Sequence, residues 1–333
     1  EGKASLIIGA RSAIFLPARK LGLIIIDEEH ENTYKSDQNP KYQKKEVAEY
    51  IAKLKGCKVI LGSATPTIES YYRAISGEMK LVELNHRVDN KPMPEKDLVY
   101  TGHYIDHELV SNIEADCEAR IKRKQEKKPM RFLLTIGGAG AQREIFAAII
   151  RYLLPEIREG RAALYVNVGD YRNVWEELLQ EIPNLKGMAT EHFDDWRNTK
   201  QFAKAALDGE ITGVHGFYHK NIFEAVYCTN LLMRSCDVLV TKPSELAFYP
   251  VPKLFIKRVG GHEQWGAIHS AEIGDGTLEC RDIPHTLQML ELFQSSDHLL
   301  NDMCEAIMEN KKQGIYDGAY KVVELAMGLR KGM

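Results

Sequence analysis

Short apolar runs alternate with longer stripes of helical period along this chain. SLIIGARSAIF (5–15), LGLIIID (21–27) and CKVILGSATP (57–66) are β-branched and continuous, the pattern of buried parallel strands. Between the last two, Val47, Ala48, Ile51 and Leu54 recur at helical spacing, and Gly56 is a natural stop. After the third run, Pro66 is expected to open a second helix, TIESYYRAISG, that ends on Gly77. Strand, helix, strand, helix predicts a parallel α/β unit.

From Tyr100 the pattern changes. TGHYIDHELVSNIEADCEARIKRKQEKK (101–128) predicts one helix, with Leu109, Ile113, Cys117 and Ile121 as its apolar stripe. Its basic end, Arg120 to Lys128, is expected to be a solvated face. Then RFLLTI (131–136) runs through a glycine-rich turn into a helix, and strands and helices continue to alternate. RAALYVNVGD, ITGVHGFY, DVLVTK, VPKLFIKR and GTLECRD complete about six strands. Pro243 is expected at the first position of a helix in KPSELAFYP, and the chain ends in amphipathic helices. Trp196 and Trp265 are expected as packing anchors.

A length of 333 residues favours about two domains. A net charge of −3 gives no global basic footprint for nucleic acid. No apolar run nears the ~18 residues of a membrane span, and no signal-peptide pattern opens the chain. The six cysteines never form C-x-x-C, so reduced thiols in a cytoplasmic protein are expected, without zinc.

Candidate chemistry clusters at strand ends, where open α/β sheets bind ligands. Asp27, Glu28 and His30 follow the second run, and Ser63-Ala64-Thr65-Pro66 follows the third. NTP hydrolysis asks for such groups: one carboxylate for Mg²⁺, a second for the attacking water, and hydroxyls that report the nucleotide state. This combination resembles the first helicase lobe of the PriA family of primosomal replication-restart helicases (primosomal protein N′). The resemblance spans residues 1–98 through IIGARSAIF, LGLIIIDEEHENTYK, KYQKKEVAEY, VILGSATPTIES and RVDNKPMPE. It implies a partial RecA-like lobe with Mg²⁺ and ATP as cofactors and DNA and primosome proteins as partners. It assigns Asp27 to the Mg²⁺ waters and Glu28 to the general base. His30, Ser63 and Thr65 would couple hydrolysis to lobe motion, and Arg11 and Ser12 would approach DNA. The family's G-x-x-x-x-G-K-[ST] phosphate loop is absent from these 333 residues, as are its arginine-finger motif and zinc cysteines. ATP turnover by this chain alone is therefore not expected.

The second part resembles another family. GGAGAQ (137–142) and CDVLVTKPSELAFYPVPKLFIKRVGGHEQWGA (236–267) are similar to the C-terminal, donor-binding domain of MurG-like GT-B glycosyltransferases. That resemblance implies a Rossmann-like domain with a parallel sheet, and a UDP-sugar or similar nucleotide-sugar as ligand. Gly137, Gly138 and Gly140 would meet the diphosphate, with Ser244 assisting. Glu245 would take the ribose hydroxyls, and Glu263 and Gln264 would face the sugar. TKPSE departs from the family's SRAGA-x-T-x-SE form, which leaves the donor open. The expected divisions are 1–98, a junction and helix at 99–130, the nucleotide-sugar domain at 131–296, and C-terminal helices at 297–333. The chain thus reads as a chimera, a helicase fragment joined to a glycosyltransferase-like domain and incomplete for both activities. A non-catalytic Rossmann-like nucleotide-binding module, or a ligand-free structural body, is the alternative.

Overall fold

The computed structural model describes residues 14–15, 20–29, 44–63, 65–83, 99–136 and 142–331. The chain divides into two compact units, Glu1–Leu98 and Val99–Met333.

In the first unit, β1 (Leu23–Ile26) and β2 (Lys58–Leu61) pair in parallel, from Leu23↔Lys58 to Ile26↔Leu61. Helix α1 (Lys44–Lys55) buries Ala48 and Ala52 against this pair, and Ile26 is buried with them. The alternate strand positions point the other way. Leu23 and Ile25 on β1 and Ile60 on β2 remain 45%, 63% and 50% exposed. Helix α2 (Ile68–Ile75) starts at Thr67, whose hydroxyl accepts from Ser70 N. Pro66 therefore precedes the cap rather than opening the helix. The run SLIIGARSAIF lies outside the described residues, apart from Ile14 and Phe15.

The second unit departs from its predicted pattern at the start. The expected long helix is broken. Residues 99–106 have no regular secondary structure, α3 (His107–Val110) is one turn, and α4 (Ile113–Gln125) begins after a kink. The cause is local: Ser111 Oγ donates to His107 O at 2.7 Å and Asn112 Nδ2 donates to Glu108 O at 2.7 Å. Short polar side chains thus compete for carbonyls the helix would use. The elements that follow are β3 (Met130–Thr135), α5 (Arg143–Arg158), β4 (Ala162–Asn167), α6 (Arg172–Glu181), β5 (Ala189–Phe193) and α7 (Trp196–Asp208). Next come β6 (Gly213–Tyr218), α8 (Ile222–Ser235), β7 (Val238–Thr241), β8 (Lys253–Phe255) and α9 (Gln264–Glu272). Helices α10 (Ile283–Ser295), α11 (Leu299–Lys312) and α12 (Gly318–Lys331) finish the unit.

Among the described residues, six strands form one parallel sheet in the order β5-β6-β4-β3-β7-β8. The fold is α/β with helices interleaved between strands, as the alternation predicts. Phe132, Leu133, Leu134, Tyr165, Val166, Val240 and Leu254 are fully buried, so the central strands read as unbroken apolar runs. Two strand assignments need correction. Ala189–Phe193 is an edge strand with Thr190 and Glu191 exposed, too polar to stand out in the sequence. GTLECRD forms no strand; it contributes a single bridge, Gly276 to Lys253. KPSELAFYP holds a 3₁₀ turn, Glu245–Phe248, with Ser244 as its N-cap, so Pro243 lies before the cap and not inside a helix. Among the described residues no helix is long and apolar enough to cross a membrane.

Candidate functional site

Two sets of strand ends carry the candidate residues, one in each unit. In the first, parallel pairing places Asp27 and Gly62-Ser63 at neighbouring carboxyl ends. Gly62 N donates to Ile26 O at 2.8 Å and Glu29 N donates to Gly62 O at 3.0 Å. Asp27 is exposed, and its Oδ1 accepts from Glu28 N at 3.1 Å. Glu28 is exposed and sits at φ 48°, a left-handed conformation that costs energy for a residue with a long side chain. Ser63 Oγ accepts from Thr65 N at 3.1 Å. The structure therefore gathers Asp27, Glu28, Ser63 and Thr65 along one edge. His30, Arg11 and Ser12 lie outside the described residues.

Sequence reasoning missed Glu29. It is 8% exposed and faces inward. Its Oε1 accepts from Thr67 N at 2.7 Å and from Thr67 Oγ1 at 3.1 Å, and its Oε2 accepts from Ser70 Oγ at 3.0 Å. Lys45 Nζ donates to Ser70 Oγ at 2.8 Å, which brings α1 into the same network. The signal was in the sequence: an acid at the end of one strand and T-x-x-S after the next.

The residues present do not make a self-sufficient Mg²⁺ site. Mg²⁺ asks for octahedral oxygen ligands supplied in part by substrate phosphates. Among the described residues no group of three or more His, Cys, Asp or Glu could hold a metal ion.

The second set lies at a reversal in sheet order. The chain leaves β3 for β4 on one side, then later returns to the other side of β3 as β7. Phe132↔Val238, Leu133↔Leu239 and Leu134↔Val240 hold β3 and β7 together, so the loops that follow them flank one crevice. Gly137, Gly138 and Gly140 fall in the loop after β3, outside the described residues. Their flanks are described. Thr135 ends β3, and its buried hydroxyl has no hydrogen-bond partner among the described residues. Gln142, at φ 69°, leads into the 16-residue α5. Across the crevice, Ser244 is half-buried and Glu245 is exposed.

Glu263 and Gln264 part company. Gln264 is exposed at the start of α9. Glu263 does not face outward, contrary to expectation. It is 6% exposed and paired with Lys242 Nζ. Its Oε2 accepts from Val259 N at 2.8 Å and Gly260 N at 3.2 Å. Burial pushes this carboxyl up, but Lys242 and the two backbone donors outweigh it and hold the group below the usual carboxylate range. A buried carboxylate needs such partners, and they occupy it. Lys242, which sequence reasoning passed over, is half-buried at the end of β7. Trp265, expected to pack, is instead 72% exposed beside Gln264.

Comparison with known proteins bears on each unit separately. The chain is 56% identical over 94 residues to Replication restart protein PriA of Bacillus subtilis (strain 168), covering 28% of this chain and 12% of that protein. It is 42% identical over 93 residues to the PriA of Treponema pallidum (strain Nichols), covering 28% and 14%. The chain thus spans between 12% and 14% of the length of these two curated relatives. Among solved structures, the S. aureus MnaA-UDP co-structure covers 86% of this chain and 71% of its own, with 12% identity and a TM-score of 0.39. The C-terminal CMP-Kdo binding domain of WaaA from Acinetobacter baumannii covers 63% and 98%, with 14% identity and a TM-score of 0.32. A family model described as a domain of unknown function (DUF6938) matches residues 93–327. That match takes in the sheet and all the helices around it, and on it the chain belongs to the DUF6938 family.

Proposed function

We propose that the DUF6938 part of the chain binds a nucleoside diphosphate sugar, such as a UDP-sugar, at the crevice between β3 and β7. The carrying observation is the β3–β7 pairing, which sets the loop holding Gly137, Gly138 and Gly140 beside Ser244 and Glu245. Glycines allow backbone N–H groups close to a diphosphate, and the N-terminus of α5 adds a favourable dipole. The unpartnered Thr135 hydroxyl supports a polar occupant. Glu245 accepts from ribose hydroxyls, Ser244 assists at the phosphates, and Gln264 with Trp265 lies toward the sugar. Glu263 holds Lys242 in place instead of touching ligand.

The PriA-like part is a fragment of an ATP-dependent replication-restart helicase lobe in this reading, and the whole chain is a cytoplasmic chimera. Its relatives' DNA, ATP and primosome partners are not engaged productively by this part alone. Without a phosphate loop the triphosphate has no anchor, so we expect no DNA-stimulated ATPase from the full chain. Activity that disappears in Glu28→Gln would overturn this.

Calorimetry of the full chain with a panel of nucleoside diphosphates and their sugars tests the crevice. Affinity near about −8 kcal/mol, roughly micromolar, is expected. Glu245→Ala removes hydrogen bonds to a charged acceptor worth about 1.5–3 kcal/mol each, so binding should weaken at least about tenfold. No heat with any member of the panel, or full binding by the variant, would leave a ligand-free body as the better description.

A further inference from the structure

Residues 99–106 carry no regular structure, yet they are sewn to the far end of their own unit. His103 N donates to Ile315 O at 2.6 Å, and Gly318 N donates to His103 O at 2.9 Å. Gly102, at φ 95°, and Gly318 stand so close to the carbonyls of this seam that neither has room for a Cβ. The His103 side chain then reaches elsewhere. It is 7% exposed. Its Nδ1 lies 2.9 Å from Phe248 O, which requires the proton on Nδ1. Its Nε2 is left as acceptor for His269 Nε2, also 2.9 Å away. Phe248 ends the 3₁₀ turn that starts at Glu245, and His269 sits on α9, which starts at Gln264. One imidazole therefore ties the strap to both elements that carry Glu245 and Gln264.

Two imidazole nitrogens at this distance hold one proton between them. A second proton would set two N–H donors against each other. The groups facing His103 are His269 from α9, Lys253 from β8, Asp275 after α9, and the rings of Phe248 and Tyr316. Burial holds the His103 pKa below its ordinary value, and His269 and Lys253 act in the same direction; the Phe248 carbonyl and Asp275 oppose them.

We propose that His103 and His269 form a proton-operated latch that positions the Glu245–Phe248 turn, so that acidification frees the strap and weakens binding at the crevice. The effect on affinity rests on the nucleotide-sugar reading above; the latch itself does not. Protons act here by breaking one hydrogen bond, so the change is about tenfold.

Hydrogen exchange of the full chain at pH 7.5 and 5.5 tests the latch directly. Protection of the His103 and Gly318 amides, measured relative to the Leu133 amide in β3, is expected to fall about tenfold on acidification. In His103→Asn the side-chain amide keeps a donor to Phe248 O but cannot take a proton, and protection should no longer depend on pH. His269→Gln offers a second route, since its amide can turn its oxygen toward a protonated His103; it too should flatten the profile. With UDP as probe, the dissociation constant should rise over the same pH interval in the parent and stay level in both variants. Equal pH dependence in parent and variants, in exchange and in binding, would overturn the latch. If UDP does not bind at pH 7.5, the crevice reading fails, and the exchange profiles still decide the latch.

Discussion

Glu29 is the acid of the DEEH run that touches nothing outside its own unit, and it holds that unit together. Its carboxylate gathers Thr67 N, Thr67 Oγ1 and Ser70 Oγ at the start of α2. Glu29→Ala strips these donors of a charged acceptor and should destabilise the first unit by about 2–4 kcal/mol, measured by urea unfolding. Protons act on residues of the second unit as well. Burial lowers the pKa of His192 and His219, and of His215 to about 4. Each binds a proton more readily unfolded than folded, so stability is complete above the ordinary value near about 6.5 and declines as pH falls. The urea midpoint of the second unit should therefore drop between pH 6.5 and 4, and less so in His215→Phe. The sequence marked Asp27, Glu28, Ser244 and Glu245 because strand ends are legible from apolar runs. It did not separate Glu263 from Glu245: both are glutamates after strands, and their difference is set by Lys242 and two backbone N–H groups. Partners brought together by tertiary packing leave no local trace.

At the scale of elements, β8 and the loop after α9 are joined by a fully buried ion pair. Lys253 Nζ lies 2.8 Å from Asp275 Oδ1, with neither side chain exposed. Lys253 Nζ also donates to Tyr249 O at 2.7 Å and Val251 O at 3.1 Å, and Tyr316 Oη donates to Asp275 Oδ2 at 2.8 Å. Lys253→Met leaves Asp275 buried without its cation and should cost about 3–5 kcal/mol. Adding Asp275→Leu should restore part of the loss, a coupling that thermal unfolding of the two variants will measure. The helices and central strands were legible because their patterns extend over many residues. The edge strand Ala189–Phe193 was not, since it buries little more than His192. The break before α4 was hidden as well, because its apolar stripe runs on past Ser111 and Asn112 while their side chains interrupt the backbone ladder.

The whole molecule carries two cores of very different extent. Among the described residues, the first unit buries the apolar side chains of Ile26, Ala48 and Ala52, whereas the second surrounds a six-stranded sheet. Calorimetry should show two transitions, the lower one moved by Glu29→Ala and the upper one by Lys253→Met; a single transition that both variants shift equally would contradict separate units. The division near residue 98 was legible as a change of sequence texture, but the seam between the two ends of the second unit was not. That seam has a consequence during synthesis. Helix α4 packs on α11, and His103 hydrogen-bonds to Ile315 and Gly318, so the first segment of this unit to leave the ribosome waits for the last. Until about two hundred further residues have been translated, roughly ten to forty seconds at ordinary elongation rates, the apolar stripe of α4 has no native partner. A nascent chain stalled before α11 emerges should therefore bind holdase chaperones through α4, and one stalled after α12 emerges should release them.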